Sequence, residues 1–117
     1  MQLRKFTEDE TRLIGMLLRE PFPGSDAILD QLRNCQVTEI DSDGSLQIHV
    51  TAGPRVQTNF RIPVEAEFVD QDGVTAHVLL HVVDERVAEL EMYKEDSSPL
   101  INKFPKNEDL TLFRPET

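Results

Sequence analysis

The chain has 117 residues, with 12 Lys and Arg against 22 Asp and Glu, for a formal net charge of -10. At 38% hydrophobic and 29% charged residues it holds enough apolar material for one core, read as a single domain over 1–117, which excludes collagen-like and mainly disordered chains. The charge also repels nucleic-acid backbones and anionic membranes, because no basic run exceeds Arg4-Lys5.

In chain order, the first element begins at a cap. Thr7-Glu8-Asp9-Glu10 fits a capping box, and Leu13, Ile14, Leu17 and Leu18 recur at helical spacing, predicting a helix over about 8–20. Pro21-Phe22-Pro23-Gly24 stops it. A second helix over about 26–34, capped by Ser25 or Asp26, carries the stripe Ile28, Leu29 and Leu32.

From Gln36 the hydrophobic period changes to two, predicting a meander over about 36–94. Asp41-Ser42-Asp43-Gly44 and Asp70-Gln71-Asp72-Gly73 are turn sequences in which glycine can take positive φ. A three-residue loop at 71–73 pairs Phe68 with Ala76, Ala66 with Val78 and Val64 with Leu80, putting every apolar residue on one face. Three-residue loops at 42–44 and 84–86 set Ile40 against Leu46, Thr38 against Ile48, Val82 against Ala88, Leu80 against Leu90 and Val78 against Met92. The tail, 95–117, is expected to add a short edge strand. The fold class that follows is α+β, with two N-terminal helices packed on one face of an antiparallel β-meander of about five strands.

That register assigns the opposite face. Glu67 stands across from His77, Tyr93 lies beside His77 on the next strand, His81 faces Glu89, and Glu65 and Glu91 flank Leu79. Carboxylates opposite an imidazole favour its protonated form. Glu65, Glu67, His77, His81, Glu89, Glu91 and Tyr93 are therefore the candidate polar face, with His77 and His81 about 13 Å apart along one strand. That spacing is too long for one metal ion to bridge them, and one carboxylate each does not make a zinc site. His49 reads as opposite Val37 on a different strand, and the sequence does not place it relative to this face.

No phosphate loop, dinucleotide fingerprint or nucleophile elbow is present, so neither catalytic residues nor a cofactor or metal is assigned. Cys35, the one cysteine, reads as a small buried hydrophobe; with no export signal and no apolar run that could span a bilayer, it leaves a cytoplasmic expectation. Residues 61–117 carry 6 basic and 13 acidic residues against 6 and 9 in residues 1–60, which concentrates the acidity on the meander and tail.

Phe6-Thr7-x-x-Glu10, and Glu89-Leu90-Glu91-Met92-Tyr93-Lys94-Glu95-Asp96 followed by Ser98-Pro99, resemble a family of short bacterial proteins of unknown function. In size and acidity the chain also resembles immunity proteins of toxin systems. The resemblance implies a bacterial, non-enzymatic protein and brings no catalytic pattern. The functional expectation is an acidic interaction module, immunity or regulatory in role, that binds a basic protein partner. The alternatives are a small enzyme using His77 and His81 with Glu67 and Glu89 as acid and base groups, and a homo-oligomer built on Leu79, Val83 and Val87. Monomer and homodimer are both compatible with the sequence.

Overall fold

The computed structural model describes residues 2–115. Helix α1 spans Glu8–Leu17 and its capping box is complete: the Glu10 amide donates to Thr7 Oγ1 (3.1 Å), and the Thr7 amide donates to Glu10 Oε1 (2.9 Å). It ends before residue 20, since Glu20 precedes Pro21 and the proline ring pushes that residue out of the helical region. Helix α2 spans Ser25–Leu32. Neither Ser25 nor Asp26 caps it; Gly24 does, at φ +93°, while Ser25 Oγ accepts the Phe22 amide (3.1 Å). A Cβ on Gly24 would meet Val56 and the Gln57 carbonyl at 3.2 and 3.3 Å, so both conformation and space select glycine there.

Six strands follow: β1 (Cys35–Glu39), β2 (Leu46–Val50), β3 (Val64–Val69), β4 (Thr75–Val83), β5 (Arg86–Lys94) and β6 (Thr111–Phe113). All pair antiparallel in one sheet of order β1-β2-β5-β4-β3-β6, so the α+β expectation holds, with the tail supplying the edge strand. The sheet is not a strict meander. Strand β2 lies beside β5 instead of β3, because residues 51–63 cross the β4–β5 turn, where the Val56 amide donates to the Glu85 carbonyl (2.9 Å).

The β3–β4 hairpin has the predicted register, with Gly73 at φ +84° and the Asp70 amide donating to Val74 (3.0 Å). Two other turns differ from expectation. In β1–β2, Asp41 Oδ1 accepts the amides of Asp43 (2.9 Å) and Ser45 (3.1 Å), which lengthens the loop to four residues. Glu39 then pairs with Leu46 and Val37 with Ile48, sending Val37 into the core and leaving Ile40 50% exposed. His49 consequently faces Gln36 and not Val37, and its Nε2 lies 3.3 Å from Thr38 Oγ1. The β4–β5 turn has two residues, Asp84 and Glu85, both at positive φ (52° and 63°), as the twist of a tight hairpin requires. A bulge after His81 absorbs the remaining residue, so Val82 pairs with Val87 and not with Ala88, while Leu80–Leu90 and Val78–Met92 stay in register. Val87 is thereby turned into the core, which removes it from the polar face where the homo-oligomer reading had placed it.

The apolar rows of β3, β4 and β5 meet Leu13, Leu17 and Ile28 of the helices in one core. The molecule is 21 Å along its shortest axis, the thickness of one helix layer on one sheet. Leu100 and Leu110 join the same core, which anchors the tail on the helix side of the sheet.

Candidate functional site

Period two along β4 sends His77, Leu79 and His81 to the outer face, and antiparallel pairing lays Glu65 and Glu67 of β3 on one side and Glu89, Glu91 and Tyr93 of β5 on the other. All seven candidate residues thus share one face. Their pairwise contacts differ from the straight-across expectation because side chains reach diagonally.

His77 illustrates this. Glu67 is its cross-strand neighbour, yet Nδ1 and the Glu67 carboxylate are 3.9 Å apart, beyond hydrogen bonding. Its bonded partner is Glu95, 2.8 Å from Nε2, just past the end of β5. The ring stacks on Tyr93 with centroids 5.0 Å apart and planes 15° from parallel. Burial raises the Tyr93 hydroxyl above its ordinary value, and the fields of Glu91, Glu65, Glu95 and Glu67 push the same way. Four carboxylates therefore crowd one phenol.

His81 is 10% exposed at its side chain and bonds Glu91 (Nε2 to Oε1, 2.8 Å), not the Glu89 directly across from it. Its other nitrogen accepts the Nε–H of Arg61 (3.0 Å). A guanidinium only donates, so Nδ1 carries no proton and Nε2–H donates to Glu91. The imidazole is thus held between a guanidinium on one side and a carboxylate on the other. One donor atom each from His81, Glu89 and Glu91 lie within 4.8 Å of one another, so this imidazole has two carboxylates in reach where the sequence offered one.

Two residues of the face escaped the sequence reading. Glu95 continues the odd-numbered series 89, 91, 93 one step past the strand, and its amide still donates to the Thr75 carbonyl (3.0 Å), so counting by two would have reached it. Arg61 precedes β3 on the same odd series, but its reach to His81 depends on the backbone bond from the Val82 amide to the Arg61 carbonyl, which no pattern announces.

Clefts in the described surface include one of about 380 Å³ between Phe22, Phe60, Pro63 and Arg114, one beside Arg4 and Ile40, and one under Phe6 and Leu29. None of these is lined by His77 or His81, whose side chains are nearly covered by their neighbours on the face. Cys35 is half-buried, burial raises its thiol above the ordinary value, and Sγ lies 3.3 Å from the Leu32 carbonyl, a setting that disfavours the reactive thiolate. Among the described residues no helix is long and apolar enough to cross a membrane.

The comparison with known families decides one point. A family model described as a domain of unknown function, DUF6984, matches residues 3–105. The chain belongs to the DUF6984 family. The matched span runs from the strand-like contact of Arg4 with Val37 through the whole candidate face, and ends before β6. No curated protein and no solved structure matches the chain, so the DUF6984 assignment supplies neither substrate nor partner.

Proposed function

We propose that this DUF6984 protein is a non-catalytic interaction module that binds a basic protein partner on the outer face of its sheet. The observation that carries this reading is the acidic face itself, where Glu65, Glu67, Glu91 and Glu95 surround a 39% exposed Tyr93 stacked on His77, with Glu89 further along the same strand. A rigid, exposed aromatic ring ringed by carboxylates suits an arginine or lysine side chain, by cation–π contact at the centre and charge pairing at the rim. Acid–base catalysis by His77 and His81 fits less well, because both imidazoles are nearly covered and already bonded to carboxylates, and none of those three clefts is lined by them. The small size, the -10 charge and the single hindered thiol suit an immunity or regulatory protein of a bacterial cytoplasm.

The test uses an arginine-rich peptide as the probe. Titrated at low salt into the labelled protein, it is expected to shift amides of residues 65–67, 77–81 and 89–95, with affinity falling as salt rises. The Glu67→Gln/Glu91→Gln double variant should bind several-fold more weakly. Shifts scattered over the surface, or confined to the helix side, would sink the proposal.

A further inference from the structure

We propose that His81, Glu89 and Glu91 form a binding site for a divalent transition-metal ion, its affinity lowered by Arg61. The site lies on β4 and β5, the two central strands of the sheet, each paired on both sides. Glu89 is directly across from His81, and Glu91 lies two residues further along the same face. The imidazole and one oxygen of each carboxylate are within 4.8 Å of one another, so side-chain rotations alone can bring them to the 2.0–2.2 Å shell of a cation, a range typical of such ligands. One imidazole nitrogen with two carboxylates selects a Zn²⁺-type or Mn²⁺-type ion over Ca²⁺ or Mg²⁺, which prefer all-oxygen shells. Two carboxylates also match the dipositive charge, and three protein ligands leave a coordination position for water.

Arg61 opposes this arrangement in two ways. Its charge repels a second cation, and its Nε–H holds Nδ1 of His81 as an acceptor, which keeps the proton on the ligating nitrogen, Nε2. For Nε2 to bind a metal, that proton must move to Nδ1 through solvent. Nδ1–H would then face the Arg61 donor, so Arg61 has to release the ring. Metal-ligating histidines usually present their second nitrogen to an acceptor, and Arg61 supplies the reverse. Removing the guanidinium therefore strengthens the site.

The probes are Zn²⁺ by calorimetry and Mn²⁺ by paramagnetic broadening, on the full chain with no peptide present, so the result is independent of the partner proposal. Wild type is expected to bind one Zn²⁺ saturably, with Mn²⁺ broadening centred on residues 81, 89 and 91. Arg61→Gln, whose amide oxygen can accept from Nδ1–H, should bind at least tenfold tighter. Glu89→Gln, at a partly exposed position that bonds neither histidine, should bind at least tenfold weaker while keeping its amide spectrum. His77→Gln should leave affinity unchanged. Absence of saturable binding in wild type, equal affinities in wild type and Glu89→Gln, or an Arg61→Gln variant no tighter than wild type would overturn the proposal.

Discussion

Gln31 shows how much a single buried amide can organise. It is fully buried; its Nε2 donates to the carbonyls of Pro54 (2.7 Å) and Glu85 (3.1 Å), and its Oε1 accepts the Val87 amide (2.8 Å). One side chain therefore ties α2, the crossing loop and the β4–β5 turn. Leucine fits the volume but leaves the Val87 amide and two carbonyls without this partner, so Gln31→Leu should cost roughly 3 kcal/mol, read as a lower urea midpoint at unchanged slope. A loss below about 1 kcal/mol would mean that the loop finds other partners. Glu10 works similarly at the surface of the core. Burial pushes its carboxyl up, but the bonds from Arg4 (2.8 and 2.9 Å) and from the Thr7 amide outweigh burial and hold it below its ordinary value. Glu10→Ala removes half the capping box and the fork to Arg4 together, and should destabilise by about 2 kcal/mol in the same denaturation assay. Thr7→Ala, which loses only the cap, should cost about half of that.

At the scale of elements, the β4–β5 turn holds two non-glycine residues at positive φ, a conformation that costs an L-residue about 1 kcal/mol. Asp84→Asn with Glu85→Gly supplies the sequence that such turns favour. It should raise the thermal midpoint, even though Glu85→Gly gives up the exposed bond from Gln57 (3.2 Å). A lower midpoint would show that the turn is held by the Val56 and Gln31 contacts to its backbone and not by local preference. This turn also marks how far the sequence could be read. The Asp72-Gly73 loop was legible because only one register keeps Phe68, Ala66, Val64 and their partners on one face. The other two loops were misjudged by one residue because the deciding features lie outside the hydrophobic pattern: an aspartate that collects two amides at Asp41, and a bulge after His81. The outer face was legible as a set, since period two fixes who shares it. Who touches whom was not, because Glu91 and Glu95 reach their histidines diagonally. The position of β2 beside β5 follows from the course of residues 51–63, a segment with no periodicity to read.

At the scale of the whole molecule, an ionic cluster that no pattern announced joins the tail to the sheet. Lys94 continues the inward-facing series Leu90 and Met92 and is buried, where its ammonium meets Asp70 (3.1 Å) and Asp72. The Asp70 side chain is fully buried, and its carboxylate also accepts the amides of Gln71 (2.9 Å), Ile101 (2.8 Å) and Asn102 (2.9 Å). Burial alone would raise Asp70, but those three amides and Lys94 lower it from 3.8 to about 2. Because the folded-state value lies below the unfolded one, its stabilisation is complete above about pH 4 and is lost as pH falls through about 2. Replacing Asp70 by Asn keeps the shape but removes the charge, and turns an amide group toward donors that need an acceptor. The Asp70→Asn variant should therefore be less stable at pH 7, and the gap to wild type should narrow steadily between pH 4 and pH 2 when urea midpoints are compared. The same variant should loosen the segment that Asp70 and Asp43 pin at residues 100–102, making Lys103 and Lys106 faster sites of trypsin cleavage at neutral pH. A gap that stays constant across that acid range would show that Asp70 holds the tail by shape alone, and that its charge adds nothing to the fold.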